Sequence, residues 1–287
     1  MYGGTTLLGR MLGELKGFFF VGELAHIWDA GFVRNKRCGC GVSFRSCPTW
    51  SAIIDEAFGG PDAVDFERLA GITSRLVLNR RLPHALLADA GHGPSAAQLD
   101  ELRTALIRLY GAVRTVTGCT VIVDTSKSPT YAMALDGADG IELRVVQLVR
   151  DPRGSLMSRL RRGAGFRPSI FIFLWAASHA LSELLWRRGR RYLRVRYEDL
   201  VDQSGRTFTE VARFAGVLSE GVAAERGIVT LGPSHAVDGN RNRFETGAFE
   251  LALDDAWRSE LPTRLRLLSN ALTWPMLLRH GYGLTRR

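Results

Sequence analysis

Residues 143–158 read Leu143-Arg144-Val145-Val146-Gln147-Leu148-Val149-Arg150-Asp151-Pro152-Arg153-Gly154-Ser155-Leu156-Met157-Ser158. A β-branched apolar run ends at Val149, and Asp151 before Pro152 has the form of a helix cap and first turn. The stretch therefore reads as strand, turn and helix. The same rhythm recurs at 120–123 followed by 129–135, and at 192–196 followed by 198–214. Upstream, a helix is expected over 5–15, an apolar strand over 18–21, and helices at 50–58, 64–79 and 95–117. Downstream, 254–261 and 264–278 read as helical. Short apolar strands joined by helical crossovers predict an α/β fold with a doubly wound parallel sheet in a single domain.

Ligands of such sheets sit beyond the carboxyl ends of the strands, so residues just past each strand are the candidates. Arg150 ends one strand and Ser158 lies two turns into the next helix, which lets both converge on one anion. Asp124-Thr125-Ser126-Lys127-Ser128-Pro129 follows another strand and sets one lysine and three hydroxyls at the sheet edge. The chain has 38 Lys plus Arg, and only Lys16, Lys36 and Lys127 are lysines. Against that arginine background, Lys127 reads as a compact point charge for a transferring group, with a solvated loop lysine as the plainer alternative. Tyr2-Gly3-Gly4-Thr5-Thr6 runs straight into a helix. Its glycines, helix N-terminus and hydroxyls suit a phosphate, or simply an N-cap.

Composition narrows the partners. With 287 residues and 46% hydrophobic content, the chain can bury a full core. The net charge of +9 favours anionic partners, and residues 144–196 carry thirteen arginines against only Asp151 and Glu183. There is no zinc-finger, RNA-recognition or repeat signature and no basic tail. A phosphorylated small ligand therefore ranks above nucleic acid, and none is expected as partner. Four cysteines argue against a disulfide scaffold. Cys38, Cys40 and Cys47 cluster, but His26 is the one nearby candidate for a fourth ligand. The segment is read as an ordered loop of reduced thiols, and no metal is assigned. No secretory signal is read at the N-terminus. Ser178, His179, Ser182 and Glu183 interrupt the apolar stretch 169–186, so it reads as a buried helix rather than a membrane span, in a cytoplasmic protein.

The Gly-Thr-Thr-Leu-Leu opening, the Lys127 loop, Leu148-Val149-Arg150-Asp151-Pro152-Arg153 and Arg196-Tyr197-Glu198-Asp199-Leu200 come in an order that resembles the sulfotransferases dependent on 3′-phosphoadenosine-5′-phosphosulfate (PAPS), in bacterial style. The likeness extends to Gly239-Asn240-Arg241-Asn242-Arg243-Phe244. It implies a three-layer P-loop-like fold with a central parallel sheet flanked by helices. A helical insertion about 48–117 and a helical C-terminal portion about 205–287 are implied as well.

The resemblance also implies site roles. Gly3, Gly4, Thr5, Thr6 and Leu7 would wrap the 5′-phosphosulfate, Arg150 and Ser158 would hold the 3′-phosphate, and Tyr197 would lie near adenine. Arg241 or Arg243 would close over the nucleotide. Lys127 matches a family lysine that cytosolic relatives follow, two residues on, with a catalytic histidine; Pro129 stands there instead. Val21-Gly22-Glu23-Leu24 resembles the Gly-Glu segment that supplies a catalytic carboxylate in tyrosylprotein and some bacterial sulfotransferases. Glu23 is therefore assigned as general base, with His26 and Asp29 behind it. The acceptor is a small molecule or carbohydrate bearing a hydroxyl or amine, with 27–32, 163–173 and the helices between 50 and 117 around it.

Two departures stand out. Tyr2 and Gly3 occupy the family's basic and serine positions, and the family's first strand has no counterpart after Met1, which points to a chain continuing upstream. The rival readings are a P-loop kinase or NTPase that uses Asp124 for Mg²⁺, though Gly-x-x-x-x-Gly-Lys-[Ser/Thr] is absent, and a nucleotide-binding homologue without turnover.

Overall fold

The structure, a computed structural model, describes residues 4–77, 94–163, 165–186, 191–216 and 227–284. Its packing divides into two compact units. The first comprises the described residues of Thr6–Leu143 and Thr230–Phe249, and the second those of Met1–Thr5, Arg144–Val229 and Glu250–Arg287.

In the first unit, helix α1 (Thr5–Gly13) leads to strand β1 (Phe18–Gly22), which pairs in parallel with β2 (Val121–Asp124). Three aromatic residues and a valine give β1 its extended preference, and Phe18, Phe20 and Val21 are buried. The ladder slips between Phe20 and Gly22, so that Gly22 faces Asp124. Helices α2 (Pro48–Phe58), α3 (Phe66–Leu76) and α4 (Ala96–Thr117) fall in the expected insertion. The expected helix over 64–79 is described as far as Leu76; residues 78 and 79 lie outside the described residues. Pro48 opens α2, a Ser95/Gln98 capping box opens α4, and Gly59 and Gly118 close them in the left-handed conformation. Their apolar faces surround Ile27, Trp28, Phe32, Phe44 and Trp50. Burying each such side chain contributes roughly 1.5–3 kcal/mol. Helix α5 (Pro129–Leu135) completes this part.

In the second unit, β3 (Val145–Val149) pairs in parallel with β4 (Tyr192–Arg196) over five residues, from Val145 opposite Tyr192 to Val149 opposite Arg196. Helix α6 (Pro152–Leu160) follows β3 and α7 (Pro168–Trp186) comes next. The helix expected over 198–214 is two, α8 (Tyr197–Asp202) and α9 (Ser204–Phe214). The chain turns at Gln203, and the Thr207 hydroxyl closes on the Asp199 carbonyl at 3.0 Å. Two further short strands, β5 (Ile228–Leu231) and β6 (Gly247–Glu250), lie at the two ends of the first unit's Thr230–Phe249 segment and interrupt the expected helical C-terminal portion, before α10 (Trp257–Glu260) and α11 (Thr263–Arg279) of the second unit. Among the described residues the strands form three two-stranded sheets, with β5 beside β6. The architecture is α/β with small parallel pairs.

Helix α7 corrects the expectation of a buried helix, since only one stripe of it is covered. Ile172, Trp175, His179 and Glu183 form its buried stripe, while Ile170, Phe173 and Leu184 are exposed. Among the described residues it is the one helix long and apolar enough, by length and composition, to cross a membrane. Its buried Glu183 is met by Arg279 at 2.6 Å, His280 at 3.5 Å and Arg194 at 3.7 Å.

Candidate active site

Each parallel strand pair ends beside two of the side chains expected to form the site, and the register is the reason. In the first unit, Glu23 and the Asp124–Lys127 loop follow the facing residues Gly22 and Asp124. Thr125 donates from its amide (2.7 Å) and hydroxyl (3.0 Å) to the Gly22 carbonyl. Asp124 Oδ1 accepts from the amides of Ser126 (2.8 Å) and Leu24 (3.4 Å) and from the Ser126 hydroxyl, while Oδ2 accepts from the Tyr110 hydroxyl at 2.6 Å. Burial pushes the Asp124 carboxyl above its usual range, although these donors oppose the shift. Ser126 Oγ accepts from the Ala25 amide at 2.9 Å, and Ser128 caps α5 by accepting from the Tyr131 amide at 3.3 Å.

The three hydroxyls expected to face a ligand are thus spent bracing the loop. Lys127 is left as its chemical group, at φ 57°, a left-handed conformation uncommon outside glycine. Its ammonium pairs with Glu23 Oε1, and both side chains are largely enclosed. A Cβ placed on Gly239 would lie 3.2 Å from Glu23 Oε1 and 3.6 Å from Thr6 Oγ1. Thr6, Glu23, Lys127 and Gly239 therefore share one small space. His26 stands 3.8 Å from Glu23, and Asp29 is engaged by Arg34 at 2.8 Å. Of the residues expected around an acceptor, Ile27, Trp28, Ala30 and Phe32 are core.

The stretch after β5 folds over the end of β1. Val237 donates to the Val21 carbonyl at 2.9 Å, and a Cβ on Gly22 would sit 2.8 Å from the Val237 nitrogen. Only glycine allows that approach at φ 79°. Arg243 is buried, donating to the carbonyls of Gly239 (2.9 Å) and Arg37 (3.4 Å) and lying 3.8 Å from Asp238. These contacts brace the stretch; Arg241 is exposed. Arg10, missed in the sequence, ties α1 to this stretch through the carbonyls of Gly232 (2.8 Å) and Asn242.

In the second unit, Arg150 and Tyr197 follow the facing residues Val149 and Arg196, and the Arg150 guanidinium lies 4.6 Å from the Tyr197 ring centre. A Cβ on Gly4 would fall 2.7 Å from Tyr197 Cε2, so this glycine permits the contact. Arg150 also donates to Asp254, to its carboxylate at 3.0 Å and its carbonyl at 3.1 Å. Asp254 is shared with Arg161 at 3.2 Å. Ser158 is half-buried on α6. Asp151 caps α6 and pairs with the buried Arg153, whose guanidinium lies 4.2 Å from the Trp257 ring. Glu198 accepts from the Asp151 amide at 3.1 Å and from Tyr282 at 2.6 Å. Gly3 lies outside the described residues; Thr5 and Leu7 are half-buried in the first turn of α1.

The kinase reading loses its metal ligand, because the Asp124 oxygens are turned inward onto four donors.

An α/β protein whose candidate site residues stand just past parallel strand ends is the class that this geometry defines. No protein-family model matches the chain. Two solved structures share its fold: the sulfotransferase domain of the Synechococcus PCC 7002 olefin synthase, and that of the curacin biosynthetic pathway. The first has a TM-score of 0.50 and 18% identity, covering 99% of this chain and 92% of that one. The second has 0.54 and 17%, covering 99% and 95%. In sequence, the chain is 31% identical over 147 residues to zebrafish (Danio rerio) carbohydrate sulfotransferase 1, covering 42% of this chain and 34% of the relative. It is 29% identical over 170 residues to human carbohydrate sulfotransferase 3, covering 51% and 35%. The chain spans about a third of the length of these curated relatives. The chain thus shares the fold of two sulfotransferase domains, and about half of it or less is similar in sequence to carbohydrate sulfotransferases.

Proposed function

We propose that the chain transfers a sulfuryl group from PAPS to a hydroxyl or amine of a small-molecule or carbohydrate acceptor. The observation that carries this reading is the enclosed Lys127–Glu23 pair beside Thr6 at the start of α1. Sulfuryl transfer needs a cation near the transferring oxygens and a base for the acceptor proton, and little else from the protein. Lys127 supplies the charge. Glu23 takes the proton as the acceptor oxygen or nitrogen bonds to sulfur and the sulfur–oxygen bond to the phosphate breaks, releasing 3′-phosphoadenosine 5′-phosphate. The scheme needs no metal at the reacting atoms.

Gly3, Gly4, Thr5, Thr6 and Leu7 are proposed to wrap the 5′-phosphosulfate at the N-terminus of α1. Arg150, with Ser158, takes the 3′-phosphate, and Tyr197 takes the adenine. A carboxylate shared between Arg150 and Arg161 supports this assignment, since two arginines on one anion suit a phosphate equally well. Arg241, being exposed, is the better of the two candidates for closing over the nucleotide. The two units are taken as parts of one three-layer, P-loop-like sulfotransferase domain acting in the cytoplasm.

Calorimetry with 3′-phosphoadenosine 5′-phosphate and sulfate transfer from PAPS test this together. Glu23→Ala is expected to bind the nucleotide as the native chain does while turnover falls about 10²–10⁴-fold. Full turnover in that variant removes Glu23 as base; binding without turnover in the native chain makes it a nucleotide-binding homologue instead.

A further inference from the structure

We infer that Cys38, Cys40, Cys47 and His235 form a structural zinc site in the first unit, remote in chemistry from sulfuryl transfer. Their ligand atoms all lie within 4.8 Å of one another. Cys40 Sγ and Cys47 Sγ are 3.8 Å apart, and His235 Nδ1 is 3.3 Å from Cys47 Sγ and 3.9 Å from Cys38 Sγ. A tetrahedral zinc ion with ordinary bond lengths has edges of about 3.8 Å between sulfurs and about 3.6 Å between sulfur and nitrogen. The Cys40–Cys47 spacing equals the sulfur–sulfur edge, and the two sulfur–nitrogen distances fall about 0.3 Å either side of theirs. Three thiols and an imidazole, with no carboxylate among them, are the soft donor set that selects zinc over magnesium or calcium.

The surroundings are built to hold these donors. Residues 37–43 form a small knuckle: Arg37 bridges Ser43, Cys38 donates from its amide to the Val42 carbonyl, and Gly41 donates to the Cys38 carbonyl, both at 2.8 Å. Gly39 donates to the Ala236 carbonyl at 3.0 Å, and a Cβ there would meet the Ser234 carbonyl oxygen at 2.6 Å. The knuckle can approach the histidine segment so closely because this position is glycine. His235 Nε2 stands 3.3 Å from the Thr49 hydroxyl, which can accept from Nε2–H in the tautomer that leaves Nδ1 for metal. The Trp50 indole donates to the His235 carbonyl at 2.7 Å, and the Phe19 ring stacks on the imidazole. Cys38 and Cys47 are fully buried and all the cysteines are free thiols.

Four protein ligands close the coordination sphere, which is the mark of a structural rather than a catalytic zinc. The ion would staple the 38–47 loop to the stretch whose next residues are Val237, Gly239 and Arg243. Val237 packs on the end of β1, Gly239 lies beside Glu23, and Arg243 holds the Gly239 carbonyl.

The full chain, expressed with added zinc and dialysed, is assayed for metal by elemental mass spectrometry. One zinc per chain is expected. Cys40→Ser and His235→Ala should each lower the zinc content at least tenfold, an order-of-magnitude figure for losing a ligand. Cys119→Ser, a buried thiol outside the cluster, should keep it. If the ligand variants do not fold, the native chain is stripped with chelator and titrated with Co²⁺ alone. Strong tetrahedral d–d and thiolate charge-transfer bands that zinc bleaches support the site. Weak octahedral bands, native zinc content no higher than that of Cys40→Ser, or a Cys40–Cys47 disulfide in the freshly purified chain overturn it.

Discussion

The ends of the two parallel strand pairs use the same scaffold to opposite effect. Past β3 and β4, Arg150 is buried against a tyrosine ring, a carboxylate and a carbonyl, on ordinary backbone. Past β1 and β2, Lys127 sits on left-handed backbone with its ammonium on Glu23. A planar guanidinium with many fixed partners suits a group that is held throughout a reaction. A point charge on a strained turn, paired with a carboxylate, suits a group that changes partners during one. Under the proposed function, one end binds and the other reacts.

The largest test separates those roles. Lys127→Ala should lower kcat about 10²–10³-fold with little change in affinity for 3′-phosphoadenosine 5′-phosphate, the size seen when one donor to a developing charge is removed. Arg150→Ala should do the reverse and abolish measurable nucleotide binding. Equal effects on kcat and affinity in both variants would erase the distinction.

Acid should tell the two ends apart as well. Burial holds His179 down to about 3 and His280 down to about 4, although Glu183 beside His280 opposes the latter. Both are in the second unit. Their unfolded forms take up protons below about 6.5 while the folded forms do not, so stability is intact above that pH and falls as pH drops toward 4. The loss is roughly 2 kcal/mol per histidine at pH 5. Hydrogen exchange at pH 7 and 5 should show β3 and β4 losing protection before β1 and β2. His280→Gln should flatten the dependence measured by urea unfolding.

The smallest effect concerns Asp254. If its carboxylate stands where a phosphate would, Asp254→Asn should tighten nucleotide binding about three- to tenfold by removing a competitor for Arg150. Weaker binding would instead make Asp254 a positioning residue for that arginine.

Much of this was legible in the sequence because it is local. β4 and α5 run over the residues read from apolar runs and Pro starts, and β1, β2 and β3 differ by a residue or two. Glu23 and Lys127 could be nominated because each lies just past a strand. What escaped depends on distance along the chain. Asp254 lies 104 residues from Arg150, and His235 lies 188 residues from Cys47, so no spacing rule links them. The zinc ligand sought beside the cysteines, His26, faces Glu23 instead. The hydroxyls of the Lys127 loop were overvalued for a related reason. Whether a hydroxyl faces ligand or backbone is decided by what packs against the loop: here Gly22 and Ala25 engage Thr125 and Ser126, and the Tyr131 amide engages Ser128. Similarly, α7 is apolar almost all round, yet packing covers only one stripe.

The scarcity of lysine has a practical consequence. Lys16 is exposed, Lys36 reaches Asp238 at 3.2 Å on a partly open surface, and Lys127 is the enclosed one. Reductive methylation followed by peptide mapping would report on three side-chain amines in one experiment. The rate at Lys127, with the other two as internal standards, would follow the opening of its ion pair without any engineered label.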